Sequence, residues 1–200
     1  MQLYKFRPLG NEDHLKRIKD IIEKGFYCCD FLSFNDVNEG VFSVNSENID
    51  ISVEEKKKYK ICSLSGKNAL ISLLMWGHYA NAGMGVVIEV DVQDFSKIKQ
   101  VRYSNSTDEL NSIEEILTRK SKEWEYENEF RYLSNDNISC SVKLGTITMI
   151  YFGTPYKQLL NYCDIKEKHE GLKRYLELKE KLENFCYENN DVPCKDFKFN

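Results

Sequence analysis

The chain has 200 residues, a formal net charge of −4 and a pI near 5.5. That length supports one ordinary domain whose core needs neither disulfides nor a metal, and no basic stripe marks a dedicated duplex-DNA binder, so charge leaves nucleic acid unsupported as a partner. Met1 to Arg7 lacks the apolar stretch of a signal peptide and no apolar run approaches a membrane span, which predicts a cytoplasmic protein with no membrane partner.

In chain order, Leu3 to Phe6 predicts a short opening strand. Asn11-Glu12-Asp13-His14 reads as a helix start, Leu15, Ile18, Ile21 and Ile22 follow at helical spacing, and Gly25 stops the helix. Phe26 to Phe34 is aromatic-rich and closes on Asn35-Asp36. Asn45 to Asp50 reads as a loop, and Glu54 to Lys58 as a solvated helix face. Lys60 to Ser65 predicts a strand turning at Gly66, and Ala69 to Ala80 an apolar helix ending near Asn81 to Gly85. Met84 to Val90 is a nearly continuous β-branched run, the pattern of a strand covered on both faces; Ile98 to Tyr103 is a weaker strand. Thr107 to Ser121 predicts a helix with Leu110, Ile113, Ile116 and Leu117 on one side. Trp124 to Tyr132, Ile138 to Leu144 and Thr146 to Phe152 predict a three-strand meander. Lys157 to Asn190 reads as a long charged helical segment with a break at Gly171.

These elements do not alternate as strand and helix. They predict an α+β fold with a mainly antiparallel sheet flanked by helices, as a single domain in which residues 1–155 form the core and 156–200 a C-terminal helical extension. Gly83-Met84-Gly85 precedes a strand rather than following one, so it is not a dinucleotide-binding loop. The seven cysteines include no C-x-x-C pair and are odd in number, which argues against a zinc knuckle or a closed disulfide framework. His14, His78 and His169 are widely spaced, and no metal is expected.

The segment Trp124-Glu125-Tyr126-Glu127-Asn128-Glu129-Phe130-Arg131-Tyr132 carries the strongest chemical signal. As one strand it would place Glu125, Glu127, Glu129 and Arg131 on one face, with an aromatic face behind them broken only by Asn128. Like charges along one strand face repel, so a set of carboxylates there asks for a purpose. The expectation is that Glu127 and Glu129 face a cleft, that Arg131 pairs with one of them, and that Glu125 lies at the outer end.

Leu3-Tyr4-Lys5-Phe6-Arg7-Pro8-Leu9, Phe34-Asn35-Asp36, Cys62-Ser63-Leu64-Ser65, Met75-Trp76-Gly77-His78-Tyr79-Ala80, Gly85-Val86-Val87-Ile88-Glu89, Lys120 with Trp124, Glu127, Glu129 and Arg131, and Tyr151-Phe152-Gly153 together resemble the motifs of the bacterial domain-of-unknown-function family 2971. A second resemblance is to ADP-ribosyltransferases, in the order of an opening-strand arginine, a Ser-x-Ser strand and a Glu-x-Glu segment. That likeness implies a split or curved sheet, NAD as substrate, and a role as a toxin, an antiphage-defence effector or a modifier of a macromolecule. It implies that Arg7 holds the phosphates and ribose of NAD, that Ser63 or Ser65 orders the cleft, that Glu129 is the catalytic carboxylate and that Glu127 orients the acceptor. Tyr4, Trp76 and Tyr79 are the aromatics expected to stack on nicotinamide. The acceptor, and any neutralising or regulatory protein partner, are left open.

Two other classes fit the same residues. A metal-dependent nuclease would use Glu89, Glu125, Glu127 and Glu129 as ligands with Lys120 assisting. A non-catalytic binding module would use an acidic cleft to hold a cationic group.

Overall fold

The computed structural model describes residues 1–34, 49–105, 112–136, 140–155, 169–189 and 191–199. Its frame is laid down by two long strands. β1, Gln2–Pro8, is followed by α1, Glu12–Lys24, whose start is fixed by Asn11 accepting from the His14 backbone N–H and whose end is fixed at Gly25, at φ 104°. Leu15, Ile18 and Ile21 turn inward at helical spacing. The chain continues through β2, Phe26–Tyr27, and a 3₁₀ turn at Phe31–Ser33. The predicted Asn35-Asp36 turn lies outside the described residues, as does most of the predicted 45–50 loop, whose last two residues open α2, Ile49–Lys57.

β3, Lys60–Ser65, matches expectation, but the predicted helix over 69–80 is two pieces. α3 is Lys67–Leu70 and α4 is Leu73–Tyr79, restarted by the Ser72 hydroxyl accepting from the Met75 N–H. β4, Gly85–Val92, is buried on both faces, as its β-branched run requires. The predicted Ile98–Tyr103 strand divides into β5, Ile98–Gln100, and β6, Arg102–Tyr103. The predicted 107–121 helix is seen as α5, Ile113–Leu117, with β7, Arg119–Lys120, behind it; residues 106–111 lie outside the described residues.

The acidic segment corrects the sequence reading most. Lys122–Glu127 is a 3₁₀ helix, closed by Asn128 in the left-handed region at φ 44°, and β8 is only Glu129–Ser134. Asparagine tolerates that conformation where other residues with a Cβ resist it. The period-two face therefore holds for Glu129 and Arg131 alone. Glu125 is exposed, and Glu127 reaches the cleft from the end of the turn.

The three-strand meander does not form. β9, Ser141–Val142, pairs with β2; β10, Gly145–Phe152, pairs antiparallel with β4 along its length. Both edges of β8 are already taken, by β3 and β5, so β10 has no place beside it. α6, Glu170–Asn189, contributes Leu172, Tyr175, Leu178, Leu182 and Cys186 to the main core, and β11, Cys194–Asp196, adds a parallel edge. Of the predicted 157–190 segment, residues 157–168 and 190 lie outside the described residues.

The result is a mixed fold around a mostly antiparallel, open seven-stranded sheet in the order β11-β10-β4-β1-β3-β8-β5. One face carries Val86, Ile88 and Val90 under α1 and α6; the other carries Tyr4, Phe6 and Val87 under α3, α4, Phe197 and Phe199. No helix among the described residues is long and apolar enough to cross a membrane.

Candidate functional site

At the centre of the sheet, β1 and β3 share one paired position, Tyr4 with Ser65, and then part. Each is satisfied along its outer edge, β1 by β4 from Gln2 to Pro8 and β3 by β8 from Lys60 to Ser65. The gap between their inner edges is the floor of a cleft of about 470 Å³. Tyr4 to Arg7 form one lip and Ile61 to Ser65 the other, with Glu127, Glu129 and Lys120 at one side and Met75, His78 and Tyr79 of α4 above.

Directly paired residues share a sheet face, so Ser65 lies opposite Glu129 and Ser63 opposite Arg131 on the face that also holds Tyr4 and Phe6. Lys5, Arg7 and Cys62 belong to the other face by alternation. The split brings the two sets into one cleft. Lys5 shows this directly, because its Nζ crosses the gap to donate to the Ser63 carbonyl at 2.5 Å.

Glu129 is 3% exposed and its carboxylate is held on both oxygens. Arg131 Nε donates to Oε1 at 2.8 Å and Nη2 to Oε2 at 3.1 Å, and Lys120 Nζ lies 3.2 Å from Oε2. Arg131 is itself fully buried, with Nη1 donating to the Leu117 carbonyl at 2.5 Å. The Glu129 N–H donates to the Tyr103 hydroxyl at 2.7 Å, fixing the backbone where the strand begins. Burial would push the Glu129 carboxyl up, but the charges of Arg131 and Lys120, with the Arg131 hydrogen bonds, outweigh it and hold the group at about 2. The Ser63 hydroxyl favours the same charged form without making a hydrogen bond of good geometry, and its Oγ is buried with no partner among the described residues.

Glu127 is the second anchored carboxylate. Its Oε2 accepts from Lys120 at 2.6 Å and its Oε1 from the Tyr79 hydroxyl. Burial, then that hydrogen bond, raises the Tyr79 hydroxyl pKa, so the phenol keeps its proton as donor. Burial pulls the Lys120 ammonium down, but Glu129 and then Glu127 reverse the shift and keep it charged. Lys120 is thus one cation shared by two carboxylates, and it stands over the Trp124 ring at 4.9 Å. His78 meets the Tyr126 hydroxyl at 3.0 Å at the rim.

The opposite lobe has the opposite charge. Lys5, Arg7 and Arg17 line it, and among the described residues none of the three forms an ion pair. Arg7 Nε is buried with no hydrogen-bond partner among the described residues, and burial, the first cause, depresses the pKa of Arg7 and of Lys5. An unpaired guanidinium in such a place costs free energy unless an anion meets it.

Of the nine residues expected at the site, Tyr4, Arg7, Ser63, Ser65, Tyr79, Glu127 and Glu129 line this one cleft, and Arg131 stands behind Glu129. Trp76 does not reach it. Its ring packs between Phe6, Phe197 and Phe199 and its Nε1 donates to the Leu70 carbonyl at 2.9 Å, because α4 turns that side into the core. The four acids of the nuclease reading do not converge either: Glu89 is engaged by Thr148 at 2.6 Å and Tyr151 at 2.9 Å, and Glu125 faces outward. Nor is the cleft acidic on balance among the described residues, where Lys5, Arg7, Arg17 and Lys120 outnumber Glu127 and Glu129. Sequence reasoning missed Lys5, Arg17 and Tyr103. Lys5 alone had a local signal, two residues from Arg7 on the same strand face. No protein-family model, curated protein or solved structure matches the chain.

Proposed function

We propose that the cleft consumes NAD, as an ADP-ribosyltransferase or an NAD glycohydrolase. The observation that carries this reading is the meeting of Arg7, Ser63, Ser65, Glu127 and Glu129, from three separated stretches of sequence, around one cleft with an unpaired cationic lobe at its far side. The pyrophosphate of NAD supplies the anion that Arg7, Lys5 and Arg17 lack. Its nicotinamide ribose then lies toward the carboxylates.

Breaking the bond between the ribose carbon and the nicotinamide nitrogen sends the electron pair to nicotinamide and leaves oxocarbenium character on the sugar. Glu129, ionised and held by two cations, has lone pairs left to accept a ribose hydroxyl and to stabilise that charge. Such preorganisation spares the carboxylate any reorientation during the reaction. Glu127 takes the proton of the incoming acceptor or water, a role worth about a hundredfold to ten-thousandfold. Tyr79 orients Glu127 and offers its ring to the leaving group. Toxin or antiphage-defence activity is the biological setting this chemistry fits; the acceptor decides between the two enzyme classes.

The test is incubation of the purified protein with NAD, with free nicotinamide and ADP-ribose adducts on lysate components read by mass spectrometry. Wild type releases nicotinamide, and Glu129→Gln, Glu127→Gln and Arg7→Gln variants that remain folded lose the activity. Turnover unaffected by Glu129→Gln, or no turnover and no NAD binding by calorimetry, overturns the proposal.

A further inference from the structure

Beneath the cationic lobe lies a thiol cluster that the proposed reaction does not use. Cys29 and Ile61 exchange both backbone hydrogen bonds, Cys29 N–H to the Ile61 carbonyl at 3.0 Å and Ile61 N–H to the Cys29 carbonyl at 2.7 Å. They are a hydrogen-bonded antiparallel pair. The next position, Cys28 facing Cys62, is therefore a non-hydrogen-bonded pair, where opposing side chains approach most closely and Cα atoms stand about 4.5 Å apart. The Cys28 N–H agrees, pointing away from β3 to the Cys140 carbonyl at 2.7 Å. A Cα separation of roughly 4.4–6.8 Å admits a disulfide.

Both cysteines are reduced and about 1% exposed, but Cys62 lies along the cleft wall with Cys29 beside it. Of the facing pair, Cys62 is the member on the cleft side, with the more exposed Cys29 next to it. The same lobe supplies Lys5 and Arg7, the surroundings that favour a thiolate. The neighbouring Cys28 thiol, then the charges of Lys5 and Arg7, lower the Cys62 thiol pKa against the opposing effect of burial, and the neighbouring Cys62 raises Cys28; the two sulfurs themselves lie toward the Phe26 and Ser63 carbonyls, at 3.7 and 3.9 Å. Of the two, Cys62 lines the cleft beside Lys5 and Arg7 and Cys28 does not, which places Cys62 to attack and Cys28 to resolve.

We propose that Cys28 and Cys62 are a redox-active dithiol, a modification site at which a small hydroperoxide converts the pair to a disulfide. The Cys62 thiolate attacks the peroxide oxygen, the O–O bond breaks, and the departing oxygen takes up a proton, leaving a sulfenic acid. Cys28 then attacks the Cys62 sulfur, the S–O bond breaks, and water leaves with the Cys28 proton. Two thiols lose two electrons and two protons, and the hydroperoxide is reduced to an alcohol, or to water in the case of hydrogen peroxide, with a second water formed. The reaction removes the thiolate facing Lys5 and Arg7, and it joins the segment after β2 covalently to the cleft wall.

The experiment uses the reduced full chain and hydrogen peroxide, followed by alkylation, intact mass measurement and peptide mapping. The expected result is loss of two hydrogens, a Cys28–Cys62 cross-link that persists in Cys29→Ser, and recovery of both thiols with dithiothreitol. In Cys28→Ser the cross-link is absent and Cys62 is trapped by dimedone as a sulfenic acid. Lys5→Met slows iodoacetamide alkylation of Cys62 at neutral pH by about tenfold, as expected where a nearby cation sets the thiolate fraction. A peroxide-induced disulfide that excludes Cys62, or a wild-type Cys62 that stays unmodified until the protein is denatured, overturns the proposal. The wild-type map decides alone if a variant fails to fold.

Discussion

Arg131→Met tests whether the carboxylate at the centre of the cleft depends on its buried partner. Arg131 is fully buried, Glu129 is 3% exposed, and two Arg131 hydrogen bonds at 2.8 and 3.1 Å hold the two carboxylate oxygens. A carboxyl lowered from 4.5 to about 2 by the folded state contributes about 3 kcal/mol of stability at neutral pH, at about 1.4 kcal/mol per pH unit. Because the folded value is the lower one, that contribution is complete above pH 4.5 and is lost as pH falls from 4.5 toward 2. Removing Arg131 leaves Glu129 with Lys120 alone, and a broken buried pair costs about 3–5 kcal/mol. For a chain of this size the melting temperature then falls by roughly 6–20 °C. Urea unfolding followed by intrinsic fluorescence at pH 7 and pH 3 measures the loss, with the difference between wild type and variant narrower at pH 3. The double variant Arg131→Met with Glu129→Gln recovers part of it by removing the uncompensated charge. A loss below about 1 kcal/mol at pH 7, or the same loss at both pH values, would refute the assignment of this pair as the electrostatic anchor of the site.

Ser63→Ala removes a buried hydroxyl that has no partner, so stability in urea stays level or rises by up to about 1 kcal/mol, while NAD affinity by calorimetry falls. Trp76→Ala behaves as a core deletion: thermal melting reports a loss of about 3–5 kcal/mol, and Trp76→Phe in a folded protein leaves the KM for NAD unchanged. Asn128→Gly keeps the left-handed turn and the nicotinamide release rate, whereas Asn128→Val, a β-branched residue at φ 44°, lowers both melting temperature and rate. Gly66→Ala places a Cβ against the Asn128 side chain at the other wall of that turn, and its effect on rate follows the direction of Asn128→Val.

What could be read from the sequence was local. The Asn11 cap, the Leu15, Ile18 and Ile21 stripe and the Gly25 stop specify α1 without help from the rest of the chain, and the β-branched run specifies β4. The acidic segment was recognised as chemically important, but alternation of charged and aromatic residues does not distinguish a strand from a short 3₁₀ turn ending in a left-handed asparagine. Trp76 and Tyr79 share a helix, and which of them faces the core depends on Phe197 and Phe199, more than a hundred residues away in sequence. Lys120 is visible in the sequence as a cation near the acidic segment, but not as the partner of both carboxylates. Its importance comes from standing between Glu127 and Glu129 once the 3₁₀ turn has folded back.

The position of the cleft follows from the sheet itself. When β1 and β3 separate beyond Tyr4 and Ser65, backbone groups on both inner edges lose the neighbours that a continuous sheet would provide. A gap of this kind is stable only if polar groups occupy it. Lys5 answers one such demand by donating to the Ser63 carbonyl. The carboxylate side meets its needs internally, with Arg131, Lys120 and Tyr79 engaging the oxygens of Glu129 and Glu127. The Arg7 side does not: among the described residues, Lys5, Arg7 and Arg17 line the cleft without an ion pair where the strands part. The split therefore yields a cleft with two carboxylates already fixed and, among the described residues, a cationic lobe without a counter-charge. On the proposed reading, the pyrophosphate of NAD meets the cationic end of that asymmetry and the nicotinamide ribose the carboxylate end.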